Sequence, residues 1–298
     1  MTATPAARGG AVAATSLVVL GLACQEVGAA IAVILFPTVG PLGMVSLRLV
    51  FSAVILLAIA RPRLRGRSGA DWLTVAGFGL VLALMNALFY LSLERIPLGA
   101  AVTIEVLGPL ALSVITGRRA SSWLWAGLAA VGVVLLGQGS FGHLDPPGVV
   151  FAAGAGATWA GYILLSARTG QRFPRFEGLA LAMAIGAIAV LPFGIAGSGA
   201  VLLRPEVLGL GAAVAVLSST IPYALELAAL RRLRAGAFAV LMSLAPAIAT
   251  LTGLVLLGQH FTWVGGLAVA LVIAASVGAV RQAQGPPAPP VPPAASAG

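Results

Sequence analysis

Long apolar segments recur along the whole chain and restrict its fold more than any other feature. We place ten of them, at residues 12–35, 41–60, 72–92, 98–117, 123–139, 148–168, 177–196, 207–229, 236–257 and 262–280. Each is long enough, or nearly so, to cross a hydrocarbon core about 30 Å thick as a helix of about 20 residues. They are too long and too uniformly apolar for the alternating strands of a β-barrel. We therefore predict an all-α integral membrane protein with ten transmembrane helices.

The charged residues support this class and predict its orientation. Only 8% of the residues are charged, against about 25% in a typical soluble domain, so most of the surface must face lipid. All 17 basic residues are arginines. With the N-terminus in the cytoplasm, only Arg95 and Arg204 fall in outer loops, and Arg48 lies within a helix. This positive-inside bias predicts that both termini are cytoplasmic, and it explains the net charge of +9 without a nucleic-acid partner.

A weak internal repeat divides the chain into two halves. A shift of 137 residues places Gly99 on Gly236 and Pro109 on Pro246, and it superposes the spans 98–117 and 236–257. Each half then has five helices, and an odd number makes the second half begin on the opposite side of the membrane. We predict two inverted five-helix repeats, at 12–140 and 148–280, the architecture of many alternating-access carriers. A cytoplasmic N-terminus (1–11) and a disordered, Pro-rich tail (281–298) flank them.

Ionisable side chains within the spans are the first candidates for function, because a charge at the bilayer centre costs roughly 2.5–3.5 kcal/mol on insertion scales. At a rise of about 1.5 Å per residue, Glu26, Arg48, Asn86 and Glu105 lie at nearly one depth, roughly 9–14 Å below the outer surface. Four helices that place polar groups at one level suggest a common cavity. A second polar set lies nearer the inner side, and an inverted repeat would bring the two sets together near the midplane. The predicted substrate-binding residues are Glu26, Arg48, Asn86, Tyr90, Glu105, Trp159, Tyr162, Tyr223, Glu226 and Ser243.

Two prolines predict interruptions at equivalent positions of the repeats. Proline has no N–H and displaces the carbonyl four residues before it, which is that of Glu105 for Pro109 and that of Met242 for Pro246. Discontinuous helices at matching positions of the two halves indicate a transporter's binding site. We therefore interpret Glu105 as the marker of a polar, partly unwound site inside the bundle.

Three segments carry a resemblance to a known family. PLGAAVTIEVLGPL (97–110), FPTVGPLGMVSLRL (36–49) and IPYALELAALRRL (221–233) resemble the threonine/homoserine exporter branch of the drug/metabolite transporter superfamily, the ten-helix EamA-type carriers. The resemblance covers roughly residues 12–280. It implies an exporter of small amino acids in the bacterial inner membrane that exchanges its substrate against protons. The motif positions carried over are Glu105, Arg48, Tyr223 and Glu226.

The chain departs from the family pattern at two positions in its second half. Ala245 stands where the family usually has glutamate, and Gln259 stands where glutamate is common. Glu105, Glu26 and Glu226 remain as proton-carrier candidates, although Glu226 is close to Arg231 in the sequence and could instead extend to the membrane surface. An amino acid offers both a carboxylate and an ammonium. Arg48 could hold the carboxylate with its planar fork, while Glu105 faces the ammonium.

Other interpretations compete with this one. Glu26 and Arg48 could form a purely structural ion pair, and Trp159, Tyr162, Tyr223 and Asn86 could be ordinary packing residues. The carrier could export another metabolite or a drug, or import its substrate; a channel or lipid scramblase is a further alternative. The sequence has no lysine and no phosphate-binding loop, so we expect a gradient to supply the energy. We expect no enzymatic activity, cofactor or metal; the predicted partners are a small-molecule substrate, protons and membrane lipid.

Overall fold

The computed structural model describes residues 5–117, 122–137, 144–222, 225, 229, 241–260 and 262–283. Its described residues form helices joined by short turns, in agreement with the predicted all-α class. The helices are α1 (Pro5–Ala60), α2 (Gly69–Leu93), α3 (Leu98–Glu105), α4 (Leu107–Gly117), α5 (Ser122–Gly137), α6 (Pro146–Arg172), α7 (Glu177–Ser198), α8 (Pro205–Ala215), α9 (Ala245–Leu257) and α10 (Trp263–Ala283). A 3₁₀ turn (Gly199–Leu203) precedes α8, and a π-helical turn (Val216–Thr220) follows it.

The first two predicted spans are joined more tightly than expected. We expected a connection at 36–40, but the backbone is helical except at Gly40, where φ is 63° and ψ is 167°. A positive φ of this kind favours glycine, which has no Cβ to clash. Pro41 follows as the first residue of the second helical segment, where its missing N–H costs nothing. The Ser198 hydroxyl donates to the carbonyl of Val39 just before the kink, so α7 holds the turn in place.

Two other predicted spans are interrupted within their length. The span predicted at 98–117 is divided at Val106 into α3 and α4. In the span predicted at 236–257, a turn at residues 243–244 precedes α9, and residues 236–240 lie outside the described part of the chain. For the spans predicted at 72–92, 123–139, 148–168, 177–196 and 262–280, the observed helix bounds lie within a few residues of the predicted ones, and the end of the span predicted at 207–229 lies mostly outside the described residues.

Apolar side chains cover the outside of the bundle as well as its interior. Ile188 of α7 is 71% exposed and Val150 of α6 is 68% exposed, as expected for positions that face lipid. Within the described residues, five helices are long and apolar enough to cross a membrane: Ala13–Ala60, Gly69–Leu93, Pro146–Arg172, Glu177–Leu203 and Trp263–Arg281. The first of these contains the kink at Gly40 and so covers two predicted spans. The number of ten spans stays a prediction.

Small residues allow the helices to pack backbone against backbone, as membrane helices commonly do. A Cβ placed on Gly79 of α2 would lie 2.6 Å from the carbonyl oxygen of Ala182 in α7. In the same way Gly108 of α4 lies against the backbone of Gly156 in α6. These contacts set the distance of α6 and α7 from the first half of the chain.

Ion pairs join the polar ends of the helices. Arg67 contacts Glu177 at 2.7 Å, and Arg172 contacts Asp71 at 3.0 Å, so the loop before α2 is tied to the junction of α6 and α7. Asp71 also closes a capping box with Ser68 at the start of α2. At the opposite end Arg95 contacts Asp145 at 3.2 Å. Arg67 and Glu177 are half-buried, whereas the other two pairs are more exposed and contribute little to stability; all three pairs connect neighbouring helix ends.

The contact between Gly108 and Gly156 yields a testable prediction. A methyl group at Gly108 would overlap the Gly156 backbone, which cannot rotate away as a side chain could. We expect Gly108→Ala to destabilise the protein by about 1–3 kcal/mol or more, the usual range for overpacking. Thermal unfolding in detergent would measure the loss. Gly77→Ala is the control, because nothing lies within 4 Å of a Cβ at Gly77; equal melting temperatures for the two variants would contradict the prediction.

Candidate functional site

A small internal cavity lies where both halves of the chain meet. Its volume is about 170 Å³, and it is lined from the first half by α1, α2 and α3 and from the second half by α6, α7, the π-helical turn and the start of α9. Six of the residues predicted from the sequence line it: Glu26, Arg48, Asn86, Glu105, Trp159 and Tyr162. We call this space the central cavity. The structure thus brings the outer set together with Trp159 and Tyr162 of the predicted inner set.

The kink in α1 places two of the charged residues side by side. Glu26 lies before Gly40 and Arg48 after it, so the two helical segments run past each other and present both side chains to the central cavity. Glu26 is almost fully buried, with 2% of its surface exposed, while Arg48 is half-buried.

Arg48 is held by two neutral oxygen atoms. Its Nη1 donates to the hydroxyl of Tyr90 at 3.2 Å, and its Nη2 donates to the backbone carbonyl of Ser218 at 3.1 Å. The guanidinium carbon also lies 5.5 Å from the centre of the Tyr90 ring, a cation–π distance. Its Nε is buried and has no hydrogen-bond partner. The arginine is therefore fixed in place, yet it keeps a donor for a further group.

The two carboxyl groups of the central cavity are not tied to Arg48 by direct contact. Among the described residues, no nitrogen of Arg48 lies within 4.0 Å of an oxygen of Glu26 or Glu105, and the ion pairs there are those at the helix ends. Oε2 of Glu26 is buried without a hydrogen-bond partner. The structural ion pair between Glu26 and Arg48 that we considered from the sequence is thus not formed. Three ionisable groups therefore line one cavity without a direct ion pair between them.

Glu105 is presented by the interruption between α3 and α4. Val106 donates to Val102 at 3.0 Å and Leu110 donates to Val106 at 3.2 Å, but Pro109 has no N–H to offer to the carbonyl of Glu105. That carbonyl lies against Gly156, where a Cβ would approach it to 2.5 Å. The Glu105 side chain reaches the central cavity from the last residue of α3.

Pro246 lies at a corresponding interruption in the second half. The turn at residues 243–244 ends in α9, with Pro246 in the first turn of that helix. Met242 and Ala245, on either side of the turn, line the central cavity. Ala245 is one of the positions where the chain departs from the family pattern, so an apolar methyl group stands in the cavity where the family usually has a carboxylate.

The remaining predicted residues take several different positions. Asn86 lines the cavity, and its amide nitrogen donates to the carbonyl of Leu82 at 2.8 Å. Tyr90 is fully buried behind Arg48 and is not part of the lining. Ser243 is 4% exposed and lies next to the lining residue Met242. Tyr223 and Glu226 lie outside the described residues.

Sequence reasoning missed several lining residues, of which Ser218 is the most informative. Others include Gln25, Met85, Phe89, Met183 and Met242. Ser218 lies in a π-helical turn, a feature often found at functional sites. Its carbonyl is free for Arg48 because Pro222, four residues later, has no N–H. The sequence contains this signal in the segment SSTIP, and it is the same proline rule that singled out Glu105.

Gln259, the other departure from the family pattern, lies away from the central cavity. Its side-chain Oε1 accepts from the backbone N–H of Leu98 at 3.1 Å, the first residue of α3. The first N–H groups of a helix have no partner within the helix, so Gln259 acts as a cap supplied by another element. A neutral amide meets this requirement as a carboxylate would.

Two further cavities lie near the end of α6 and the start of α7. Tyr162 lines both the central cavity and a neighbouring one of about 250 Å³. Arg175 and Phe176 line that second cavity and also a third of about 980 Å³, which borders Arg63 and Arg67. The rings of Tyr162 and Phe78 lie 5.2 Å apart between the first two cavities. Shared lining residues therefore relate the three spaces in sequence, and Tyr162 is the residue common to the first two.

Known proteins resemble this chain along most of its length. The family model described as the EamA-like transporter family matches residues 146–281. The threonine/homoserine exporter RhtA of Salmonella typhimurium (strain SL1344) is 40% identical over 268 residues, which cover 88% of this chain and 89% of that protein. RhtA of Escherichia coli (strain K12) is 38% identical over 265 residues, again 88% and 89%. The uncharacterized transporter YwfM of Bacillus subtilis (strain 168) is 29% identical over 243 residues, 78% and 82%.

A solved crystal structure gives an independent view of the fold. It has a TM-score of 0.58 and 22% identity, and the match covers 90% of this chain and 96% of that one. At this identity the likeness shows the fold alone. It agrees with the helical architecture described above.

These similarities confirm the family resemblance derived from the three sequence segments. The relatives are named as transporters, in agreement with the expectation that the chain is not an enzyme. With its apolar helices, the chain is a multi-pass protein of the bacterial inner membrane. It belongs to the EamA-like transporter family of the drug/metabolite transporter superfamily, in the branch of the threonine/homoserine exporters.

Proposed function

We propose that the protein exports small amino acids of the threonine/homoserine type and exchanges them against protons by alternating access. The observation that carries the proposal is the set of unpaired polar atoms at the central cavity. Arg48 keeps a buried donor, Nε, and Glu26 keeps a buried acceptor, Oε2. A zwitterionic amino acid supplies the partner of each, since its carboxylate accepts and its ammonium donates. Unpaired buried polar groups are costly, so a ligand that satisfies both gains affinity.

The size of the central cavity favours a small substrate. Its volume of about 170 Å³ corresponds to five or six water molecules at about 30 Å³ each. Pockets for drug-sized ligands span about 300–1,000 Å³. The alternative of a drug exporter therefore requires a larger cavity than this conformation offers. The 38–40% identity to proteins named threonine/homoserine exporters supports the same substrate class.

Exchange against protons follows from competition for one set of carboxyl groups. Glu26 and Glu105 lie in the same cavity as Arg48, and a carboxylate can bind a proton or an ammonium group. If the substrate's ammonium and the proton occupy these carboxyls in turn, each can leave only when the other enters. In this mechanism Arg48 holds the substrate's carboxylate for as long as the substrate is bound.

Alternating access is supported by the way the two halves pack. We number the predicted spans one to ten, so that α1 contains spans one and two. Span three packs on spans six and seven, while span eight packs on spans one and two; span four meets span nine, and span five meets span ten. If each span is replaced by the equivalent span of the other half (one by six, two by seven, and so on), the list of packed pairs stays the same. We infer inverted repeats at 12–140 and 148–280, with ten spans and cytoplasmic termini, and the family match to residues 146–281 coincides with the second repeat.

Substitution of the carboxyl groups tests the coupling. We expect Glu105→Gln to abolish threonine uptake driven by a pH gradient in proteoliposomes, because an amide cannot carry the proton. Counterflow at equal pH should persist with a raised half-saturation concentration, since an amide oxygen still accepts from the ammonium. Glu26→Gln should also lower gradient-driven uptake, for the same reason. Radiolabelled threonine measures both activities.

The control for this experiment is Glu206→Gln, which changes an exposed carboxyl group at the start of α8. It should transport like the wild type. If Glu105→Gln and Glu26→Gln both retain gradient-driven uptake, the coupling mechanism is wrong. If the folded wild type shows no saturable threonine exchange, the amino-acid substrate is wrong.

Tyr162 provides a test of the access route. In a Cys24→Ser background, which removes the single native cysteine, Met85→Cys reports on the central cavity and Ser166→Cys on the neighbouring 250 Å³ cavity. We expect Tyr162→Ala to accelerate severalfold the labelling of Met85→Cys by a membrane-impermeant thiol reagent added at the cytoplasmic face. Labelling of Ser166→Cys, in the neighbouring cavity, should not change. Equal acceleration at both positions, or at neither, would show that Tyr162 does not separate the two spaces.

A further inference from the structure

The carbonyl group that holds Arg48 is available only because of a local distortion after α8. In the π-helical turn Val216–Thr220, the backbone N–H of Ile221 donates to the carbonyl of Val216, five residues earlier. Pro222 has no N–H and so cannot make the regular helical bond to Ser218. The carbonyl of Ser218 accepts from Nη2 of Arg48 at 3.1 Å instead.

A second feature brings this turn close enough to reach Arg48. Gly28 of α1 lies against the Ser218 side chain; a Cβ at residue 28 would overlap the Ser218 hydroxyl, and it would lie only 3.2 Å from the Ser218 nitrogen. Gly21, seven residues earlier, faces the same segment more loosely, with its nearest contact at 3.7 Å from Leu225. The segment around Ser218 therefore packs against α1 so closely at Gly28 that no side chain fits there, whereas the space at Gly21 is larger.

Together these contacts orient the guanidinium group. Of its five N–H donors, Tyr90 and Ser218 take one each, and both acceptors are rigidly placed, since Tyr90 is fully buried and Ser218 is 3% exposed. Nε is left without a partner. A planar guanidinium held at two terminal nitrogens has a fixed direction for its other donors.

We propose that Pro222 and Gly28 are positioning residues that determine specificity for a substrate with a free carboxylate. Pro222 leaves the Ser218 carbonyl free and Gly28 lets it approach, so that Arg48, which lines the central cavity, is held with its remaining donors available to the substrate rather than swinging toward Glu26 or Glu105. This inference rests on the proposed function, in which Arg48 binds the carboxylate of an amino acid. Neither residue touches the substrate.

The test compares threonine with threonine amide, which keeps the ammonium and hydroxyl groups but lacks the carboxylate. Competition of each compound against threonine counterflow in proteoliposomes yields a selectivity ratio. In Pro222→Ala the new N–H can bond to Ser218 and draw its carbonyl away from Arg48. We expect the ratio to fall about tenfold, the loss of roughly one charge-assisted hydrogen bond, while the maximal counterflow rate stays near that of the wild type.

Pro192→Ala is the matched control, because Pro192 lies inside α7 and the carbonyl it frees belongs to Ile188, which faces away from the cavity. Its selectivity ratio should equal that of the wild type. Gly28→Ala should lower the ratio as Pro222→Ala does, and Gly21→Ala should not. Thermal unfolding in detergent checks that each variant is folded.

The outcomes separate this inference from the proposed function. Saturable threonine exchange with an unchanged ratio in Pro222→Ala overturns the positioning role and leaves the amino-acid exporter intact. An equal fall in Pro192→Ala also overturns it, because a general loss of stability would then explain both variants. A wild type without threonine exchange overturns both proposals.

Discussion

Arg48 imposes the constraint around which the central part of this protein is built. A guanidinium keeps its charge at any pH that a protein meets, so it cannot escape the cost of leaving water by losing a proton. Two neutral oxygens, from Tyr90 and Ser218, replace part of its hydration. Neither carboxyl group of the cavity forms a direct pair with it. A direct pair would stabilise the empty protein and reduce its affinity for a zwitterion.

Backbone distortion supplies what the apolar helices cannot. The interruptions near Glu105 and Ser218 each lie four residues before a proline, and the turn at residues 243–244 directly precedes α9 and Pro246. Unwound backbone is tolerated at membrane depth only where protein or a water-filled space covers it. Gly156 and Gly28 provide that cover by direct packing. The helix breaks that expose backbone groups are therefore found where glycines allow close packing to cover them.

Much of the site could be predicted because polar residues in an apolar segment are conspicuous. Depth along the helix placed Glu26 and Glu105 at one level, and the inverted repeat predicted that they would meet Trp159 and Tyr162, as they do in the central cavity. Tyr90 was assigned to the substrate but supports Arg48. Ser218 was missed, because its contribution is a backbone carbonyl that every residue possesses. Only the position of the following proline distinguished it.

The sequence by itself determined the membrane class, the helical fold and most helix bounds, because the hydropathy of a segment depends only on its own residues. It also determined the family, through three short motifs. The tertiary structure decided which polar atoms meet and which stay unpaired. Successive residues of a helix point about 100° apart, so a small rotation or tilt exchanges one facing side chain for another. Those rotations are set by contacts such as Gly108 on Gly156, between residues far apart in the chain. For this reason the unpartnered Nε of Arg48 follows only from the assembled bundle.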